Sequence, residues 1–176
     1  GCRTQSPVQA GLRPSRALLR EQARLGWEVA AVTSPKQGRA AWPGEVVDGQ
    51  YFERTRPLPP WLDRLPVLRQ AAVVASLARR IEDIASAQRP DLIHAHSPLL
   101  TGLAALRAGR RLGLPVAYEI RAFWEDAAVD HGTSMQGGAR YRLSRWLETQ
   151  VVRRADAVFT ICEGLRGDLL ARGVPA

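Results

Sequence analysis

Three short apolar segments, each separated from the next by a helix-like stretch, constrain the fold of this chain more than any other feature. They are DLIHAH at 91–96, PVAYEI at 115–120 and AVFTI at 157–161. Each is apolar through most of its length, which is the pattern of a strand whose sheet is covered by helices on both faces. Strands that alternate with helices favour a parallel sheet with right-handed crossovers. The sequence therefore predicts a doubly wound, mostly parallel α/β fold.

Helix-like patterns occupy most of the chain around these strands. They cover residues 14–25, 67–88, 98–112, 139–155 and 163–172, and glycine or proline follows most of their ends. Two further signals lie in the first half of the chain. A short strand is predicted at 27–33, and Asp48-Gly49 between two apolar pairs predicts a two-residue hairpin turn. Four prolines lie within 56–66, so we expect that segment to be irregular.

The two ends of the chain suggest an incomplete domain. A doubly wound domain normally opens with a strand, a glycine turn and a helix. Gly11 stands at the turn position before the helix at 14–25, but the strand before it is missing or degraded. Another strand would be expected after Gly173. We therefore expect residues 1–176 to form a single domain that is truncated at both ends, with enough residues for one core.

The charge balance is basic, with a formal net charge of +8, and Lys36 is the one lysine. Such a balance suits nucleic acid, anionic lipid or a phosphorylated substrate. An arginine-rich codon usage explains it equally well. Because the arginines are scattered rather than gathered in one basic run, we expect no nucleic-acid partner.

Cysteine content and hydropathy predict a cytoplasmic protein. Cys2 and Cys162 do not make a disulfide framework, so we expect reduced thiols. No apolar run approaches the roughly 18 residues that span a bilayer. The polar start of the chain lacks the apolar core of a secretory leader.

The carboxyl ends of the three predicted strands are where an open α/β sheet binds its ligands. His96 and Ser97 follow the first strand, Arg121 follows the second, and Glu163 follows the third. Arg121 suits contact with phosphate or hydroxyl groups because its planar guanidinium carries several donors. Glu163 suits either a place in the cleft or an interaction with the helix N-terminus.

The segment after Arg121 is the densest group of polar residues at these strand ends. It contains Trp124, Glu125 and Asp126, and His131 lies in the same glycine-bearing loop. The two carboxylates suit the positioning or deprotonation of a hydroxyl group. A salt-bridged loop, with Arg121 paired to Asp126, is the structural alternative.

His94 and His96 lie two residues apart in a predicted strand and therefore share a face. A zinc pair would need a third ligand, which the sequence does not reveal nearby. We therefore expect no metal. We expect His96 to line the cleft and His94 to pack under a helix. A nucleophilic role for Cys162 would need a histidine base, and the sequence places none beside it.

Four stretches of the chain resemble a known family. They are QAGLRPSRALLREQARLGWEVAAVTSPK (9–36), HAHSPLLTGLAAL (94–106), PVAYEIRAFWEDAAVDHG (115–132) and LETQVVRRADAVFTICEGLRGDLLARGV (147–174). Together they resemble the amino-terminal half of family-4 glycosyltransferases, above all the subgroup associated with exosortase and exopolysaccharide loci. RAFWED and ADAVFTICEGL are the most specific parts.

The resemblance implies the GT-B architecture, in which two Rossmann-like domains face each other across a cleft. The amino-terminal domain mainly holds the acceptor. The carboxyl-terminal domain, which residues 1–176 would lack, mainly holds the nucleotide sugar and carries a Glu-x7-Glu motif. The implied enzyme retains the anomeric configuration and needs no metal and no cofactor beyond its nucleotide-sugar co-substrate. The fragment alone is expected to be inactive.

The same resemblance implies roles for individual residues. Arg121, Glu125 and Asp126 become the catalytic candidates. The substrate-binding candidates are Gly11, His96, Ser97, Trp124, His131 and Glu163. Gly11 would allow a diphosphate to approach the backbone closely, and Trp124 would stack on a sugar ring. Many members of the family have histidine where this chain has Arg121, so the exact role of that position is open.

The implied partners are a nucleotide sugar, a glycan or polyprenyl-linked acceptor, and an anionic membrane surface. The arginines of the helix at 139–155 would face the membrane, although an ordinary solvated helix face has the same composition. Two other classes of function are possible. One is a non-catalytic basic α/β module that binds membrane or polyanions. The other, a nucleotide-binding oxidoreductase, is disfavoured because no acidic residue follows the strand at 27–33.

Overall fold

The computed structural model describes residues 17–37, 42–47, 49–123 and 138–174. The chain divides into two compact units, Gly1–Arg80 and Ile81–Ala176. Each unit contains its own three-stranded sheet. The strands and helices confirm the predicted α/β class.

The first unit contains a helix and three strands. Helix α1 covers residues 17–24. The strands are β1 (Ala31–Thr33), β2 (Gly44–Val47) and β3 (Gln50–Arg54). Strand β3 lies in the middle, parallel to β1 and antiparallel to β2. The hairpin predicted from Asp48-Gly49 is confirmed by the β2–β3 pair, and Gly49 has the positive φ of +81° that such turns require.

Buried polar contacts tie β1 to the chain around β3. Arg54 is buried, and its Nη1 donates a hydrogen bond to Thr33 Oγ1 at 2.9 Å. Arg54 also forms an ion pair with Glu45 of β2. The Thr55 hydroxyl donates to the Thr33 carbonyl at 2.6 Å. The predicted irregular segment at 56–66 contains a short 3-10 helix, Pro60–Arg64.

Helix α2 (Pro66–Gln88) is the longest of the described helices. The second unit continues with elements that alternate as predicted. They are β4 (Ile93–His96), α3 (Leu99–Leu112), β5 (Val116–Ile120), α4 (Ala139–Arg154), β6 (Ala157–Thr160) and α5 (Glu163–Ala171). The sheet order is β4-β5-β6, and both strand pairs are parallel. Helix α3 ends at Gly113, whose φ of +68° is the left-handed cap expected of a glycine.

The core of the second unit is built by close approach of α3 to β5 and α4. Tyr118 of β5 is fully buried, and its hydroxyl donates to Glu148 Oε1 of α4 at 2.5 Å. Gly102 makes room for both neighbours. A Cβ added there would lie 2.6 Å from Val151 Cγ1 and 2.8 Å from Tyr118 Cε2. Small residues on α3 therefore set how closely it packs.

The two faces of the β4-β5-β6 sheet differ in the exposure of their described side chains. Val116, Tyr118 and Ile120 are buried on one face of β5. On β6, Phe159 is 53% exposed, and Ile161 just beyond the strand is 61% exposed. The polar residues His94, His96 and Glu119 lie on the face opposite the buried side chains of β5.

Candidate functional site

The carboxyl ends of β4, β5 and β6 lie at one edge of the sheet because the strands are parallel neighbours. The Arg121 backbone N–H donates to Ser97 Oγ at 3.1 Å, and the Ser97 N–H donates to the Glu119 carbonyl at 2.8 Å. The Ile161 N–H donates to the Ile120 carbonyl at 3.4 Å. The ends of the three strands therefore lie at one edge, as predicted, and Ser97 and Arg121 are in direct contact there.

Four polar side chains meet at this edge, and we refer to His94, His96, Glu119 and Arg121 as the edge cluster. Arg121 Nε donates to Glu119 Oε1 at 2.7 Å. His94 Nε2 and His96 Nδ1 each lie 3.3 Å from Glu119 Oε2. The two imidazole rings are 4.4 Å apart between centroids. One carboxylate thus links an arginine to a pair of histidines.

Glu119 was not among the residues selected from the sequence. The parallel register places it opposite His96, and it lies two residues before Arg121 on the same strand face. Its one local signal is its charge within the otherwise apolar strand VAYEI. His94 was expected to pack under a helix. Instead, it lies beside His96 and contacts the ring of Phe159 edge-on, at 6.2 Å between centroids.

The environment of the edge cluster keeps both histidines neutral near pH 7. Burial lowers the pKa of His94. Burial and the nearby charge of Arg121 lower the pKa of His96 to about 4. Burial alone would raise the pKa of Glu119, but the hydrogen bond from Arg121 and the nearby positive charge bring it below its usual value. At neutral pH the cluster is therefore an Arg–Glu ion pair beside two neutral imidazoles.

Lowering the pH should reduce the free energy of unfolding, because these histidines bind protons more readily in the unfolded chain. The pKa of His96 is about 4 in the folded chain and near the ordinary 6.5 when unfolded. The unfolded chain therefore binds more protons in that interval, and stability falls as the pH drops from 6.5 towards 4. Urea unfolding from about pH 7.5 to 4.5, in chelator, should show this loss. The variant His96→Gln should lose less stability over the same interval, and equal losses in both proteins would contradict the assignment.

The other candidates from the sequence lie either near the start of α5 or outside the described residues. Glu163 begins α5, and its exposed carboxylate pairs with Arg166 of the same helix at 3.2 Å. Cys162 is an exposed free thiol at the end of β6. Five candidates lie outside the described residues: Gly11, Trp124, Glu125, Asp126 and His131. The alternative pairing of Arg121 with Asp126 therefore stays a prediction.

Phe123, two residues after Arg121, packs against the residue that follows α5. Phe123 is buried, and the guanidinium of Arg172 lies 3.8 Å from the centroid of its ring. Arg172 is itself held by Asp168, with Nη2 at 2.6 Å from Oδ2. This cation–π contact fixes Phe123, two residues after Arg121, against the end of α5.

Helix α4 carries exposed apolar side chains among its arginines. Leu143 and Trp146 lie three residues apart and are more than half exposed, and Arg142 is exposed beside them. Arg153 and Arg154 are exposed in its last turn. Among the described helices, none combines the length and the apolar character needed to cross a membrane.

Comparison with known proteins identifies the family of this chain. Residues 13–176 match the glycosyl transferase 4-like domain. A 112-residue segment is 31% identical to the alpha-maltose-1-phosphate synthase of Mycolicibacterium smegmatis (strain ATCC 700084 / mc(2)155). That segment covers 63% of this chain and 28% of the length of the relative. Because the family match extends over nearly the whole chain, this protein belongs to the glycosyl transferase 4-like domain family.

Proposed function

We propose that this chain is the acceptor-side half of a glycosyltransferase that moves a hexosyl unit from a nucleotide sugar to a glycan or lipid-linked acceptor. The observation that carries the proposal is the family match over residues 13–176. The similarity to a maltose-1-phosphate synthase agrees with chemistry on sugars. We assign the acceptor to exopolysaccharide or cell-envelope synthesis because of the resemblance of the RAFWED and ADAVFTICEGL segments to that subgroup.

The chemistry of the edge cluster fits this reaction. Departure of a nucleotide diphosphate builds negative charge on phosphate oxygens, and fixed cations aimed at those oxygens stabilise the transition state. Arg121 supplies a cation at the carboxyl edge of the sheet. Its backbone is held by Ser97 and its guanidinium by Glu119. The side chain is therefore oriented before the substrate arrives.

The segment after Arg121 supplies the remaining proposed roles. Glu125 and Asp126 position or deprotonate the acceptor hydroxyl, and Trp124 stacks on a sugar ring. His96 and Ser97 line the cleft in this proposal. Gly11, His131 and Glu163 complete the proposed substrate contacts. The reaction retains the anomeric configuration, needs no metal, and uses a second domain for most of the contacts with the nucleotide sugar.

Transfer assays on the full-length protein test the proposal. UDP-, GDP- and ADP-sugars are supplied in turn with glycan and polyprenyl-phosphate acceptors, with and without chelator. We expect turnover with one nucleotide class, unchanged by chelator, and a product whose anomeric configuration by NMR equals that of the donor. Absence of both transfer and donor hydrolysis across the panel would refute the proposed activity, whereas inversion would refute only the stereochemistry.

The exposed side chains of α4 support a second candidate function, binding to an anionic membrane surface. This binding could accompany catalysis or be the function of a non-catalytic module. Exposed Trp146 and Leu143 would enter the interface while the neighbouring arginines meet lipid phosphates. The full-length protein should sediment with vesicles that contain phosphatidylglycerol but not with neutral vesicles, and salt should weaken the binding. The variant Trp146→Ser should bind less. The variant Trp61→Ser, at an exposed tryptophan outside α4, is the control.

A further inference from the structure

We propose that His94, His96 and Glu119 form a binding site for a divalent transition-metal ion of the zinc type. Each residue offers one ligand atom, and the three atoms lie within 4.8 Å of one another. Among the described residues this is the group of histidine, cysteine and carboxylate side chains whose spacing suits a metal ion. The inference does not depend on the proposed transferase activity.

The distances between the donor atoms suit a tetrahedral ion. Zinc binds imidazole nitrogen and carboxylate oxygen at about 2.0–2.2 Å, which places the ligand atoms of a tetrahedron about 3.3–3.5 Å apart. His94 Nε2 and His96 Nδ1 each lie 3.3 Å from Glu119 Oε2. Two of the three separations therefore already have the length that coordination requires.

The fold holds these donors in place without a metal. His94 and His96 lie on one face of β4, and the parallel register sets Glu119 of β5 directly opposite His96. Neither facing nitrogen makes a hydrogen bond of good geometry within the described segments, although both are shielded from solvent. Both nitrogens lie 3.3 Å from Glu119 Oε2 without a hydrogen bond to it, and a metal ion coordinated by all three atoms would satisfy them.

Arg121 would orient the carboxylate ligand without binding the ion itself. It donates to Glu119 Oε1, the carboxylate oxygen that does not face the histidines. Ligating carboxylates are commonly held by such a hydrogen bond, which fixes their orientation. The guanidinium charge also opposes a nearby cation, so we expect the affinity to be lower than that of a site with the same donors and no arginine.

The donor set indicates which ions bind. Two imidazoles and one carboxylate suit Zn²⁺, Co²⁺ or Ni²⁺, whereas Mg²⁺ and Ca²⁺ favour sites made of oxygen. Three protein ligands leave a fourth position for water or an added ligand. A bound ion would share Glu119 with Arg121, because each would contact a different oxygen of the same carboxylate.

Titration of the chelator-treated full-length protein with Co²⁺ and with Zn²⁺, without any sugar substrate, tests the site. We expect one saturable equivalent by calorimetry and a visible Co²⁺ spectrum without thiolate charge transfer. The variants His96→Gln and Glu119→Gln, each checked for folding by circular dichroism, should bind at least about tenfold more weakly. Mg²⁺ in excess should not compete.

Two matched controls separate this site from adventitious binding. His131→Gln removes the third histidine of the chain, and Cys162→Ser removes an exposed thiol. Cys162→Ser should bind as the unmodified protein does, and His131→Gln shows whether a histidine outside the proposed ligand set contributes. The proposal is overturned if no saturable binding occurs, if His96→Gln and Glu119→Gln bind normally, or if a control variant abolishes binding. Because no turnover is measured, none of these results bears on the transferase assignment.

Discussion

Replacing Arg121 with alanine in the full-length protein should lower kcat/KM for glycosyl transfer by about 10²–10³-fold. The loss should fall mainly on kcat. Negative charge on the leaving phosphate grows in the transition state, so the guanidinium of Arg121 stabilises that state more than the bound substrate. Arg121→Lys should recover part of the rate. A lysine keeps the charge but cannot reproduce the planar contact with Glu119.

Arg111→Ala is the matched control for this experiment. Arg111 lies in the last turn of α3, is half exposed, and pairs with Glu82 on the surface. Removing such a pair should cost at most about 1 kcal/mol of stability and leave turnover unchanged. An Arg121→Ala enzyme with unaltered kcat/KM would remove this residue from the mechanism. It would leave the family membership intact.

Glu119→Gln separates positioning from charge at the same edge. Glu119 is a positioning residue here, because it holds the Arg121 guanidinium and we assign it no substrate contact. The amide keeps an acceptor for the arginine but removes the ion pair, so the rate should fall less than in Arg121→Ala.

Gly102→Ala should lower the free energy of unfolding by about 1–3 kcal/mol, because the added methyl group overpacks the core of the second unit. The added Cβ would lie 2.6 Å from Val151 Cγ1 and 2.8 Å from the Tyr118 ring. Neither neighbour yields easily, because valine is stiff at χ1 and Tyr118 is buried with its hydroxyl bound to Glu148.

Gly167→Ala provides the opposite control. Gly167 lies in α5, and a Cβ added there would meet nothing within 4 Å. Alanine should stabilise this helix by about 0.5–1 kcal/mol because it restricts the unfolded chain. Urea unfolding of both variants tests the pair. If both substitutions shifted stability in the same direction by similar amounts, close packing of α3 would not be the cause.

Local sequence signals located the secondary structure well. The turn at Asp48-Gly49 and the glycine cap at Gly113 depend on backbone conformations that few other residues adopt. The strands ended within a few residues of their predicted bounds, because apolar runs bounded by polar residues mark them. In the segment at 56–66, proline content predicted irregularity but could not locate the 3-10 helix, which depends on contacts beyond the segment.

The edge cluster was predicted only in part from the sequence. Ser97 and Arg121 were predicted because each directly follows an apolar strand, and parallel pairing brings such positions to one edge. Glu119 was not predicted, because its importance arises from its contacts with His96 and Arg121 rather than from its neighbours in sequence. For the same reason, the sequence did not reveal Glu119 as a third potential metal ligand beside His94 and His96.

The sequence by itself determined the element order, the parallel arrangement and the edge at which polar residues gather. These follow from periodicity, glycine and proline positions, and the handedness of crossovers, all of which act over short stretches of chain. The tertiary structure alone decided which side chains meet there and which described side chains of the sheet are buried. Strand register sets those contacts, and register is a relation between segments more than twenty residues apart in the chain, such as His96 and Glu119.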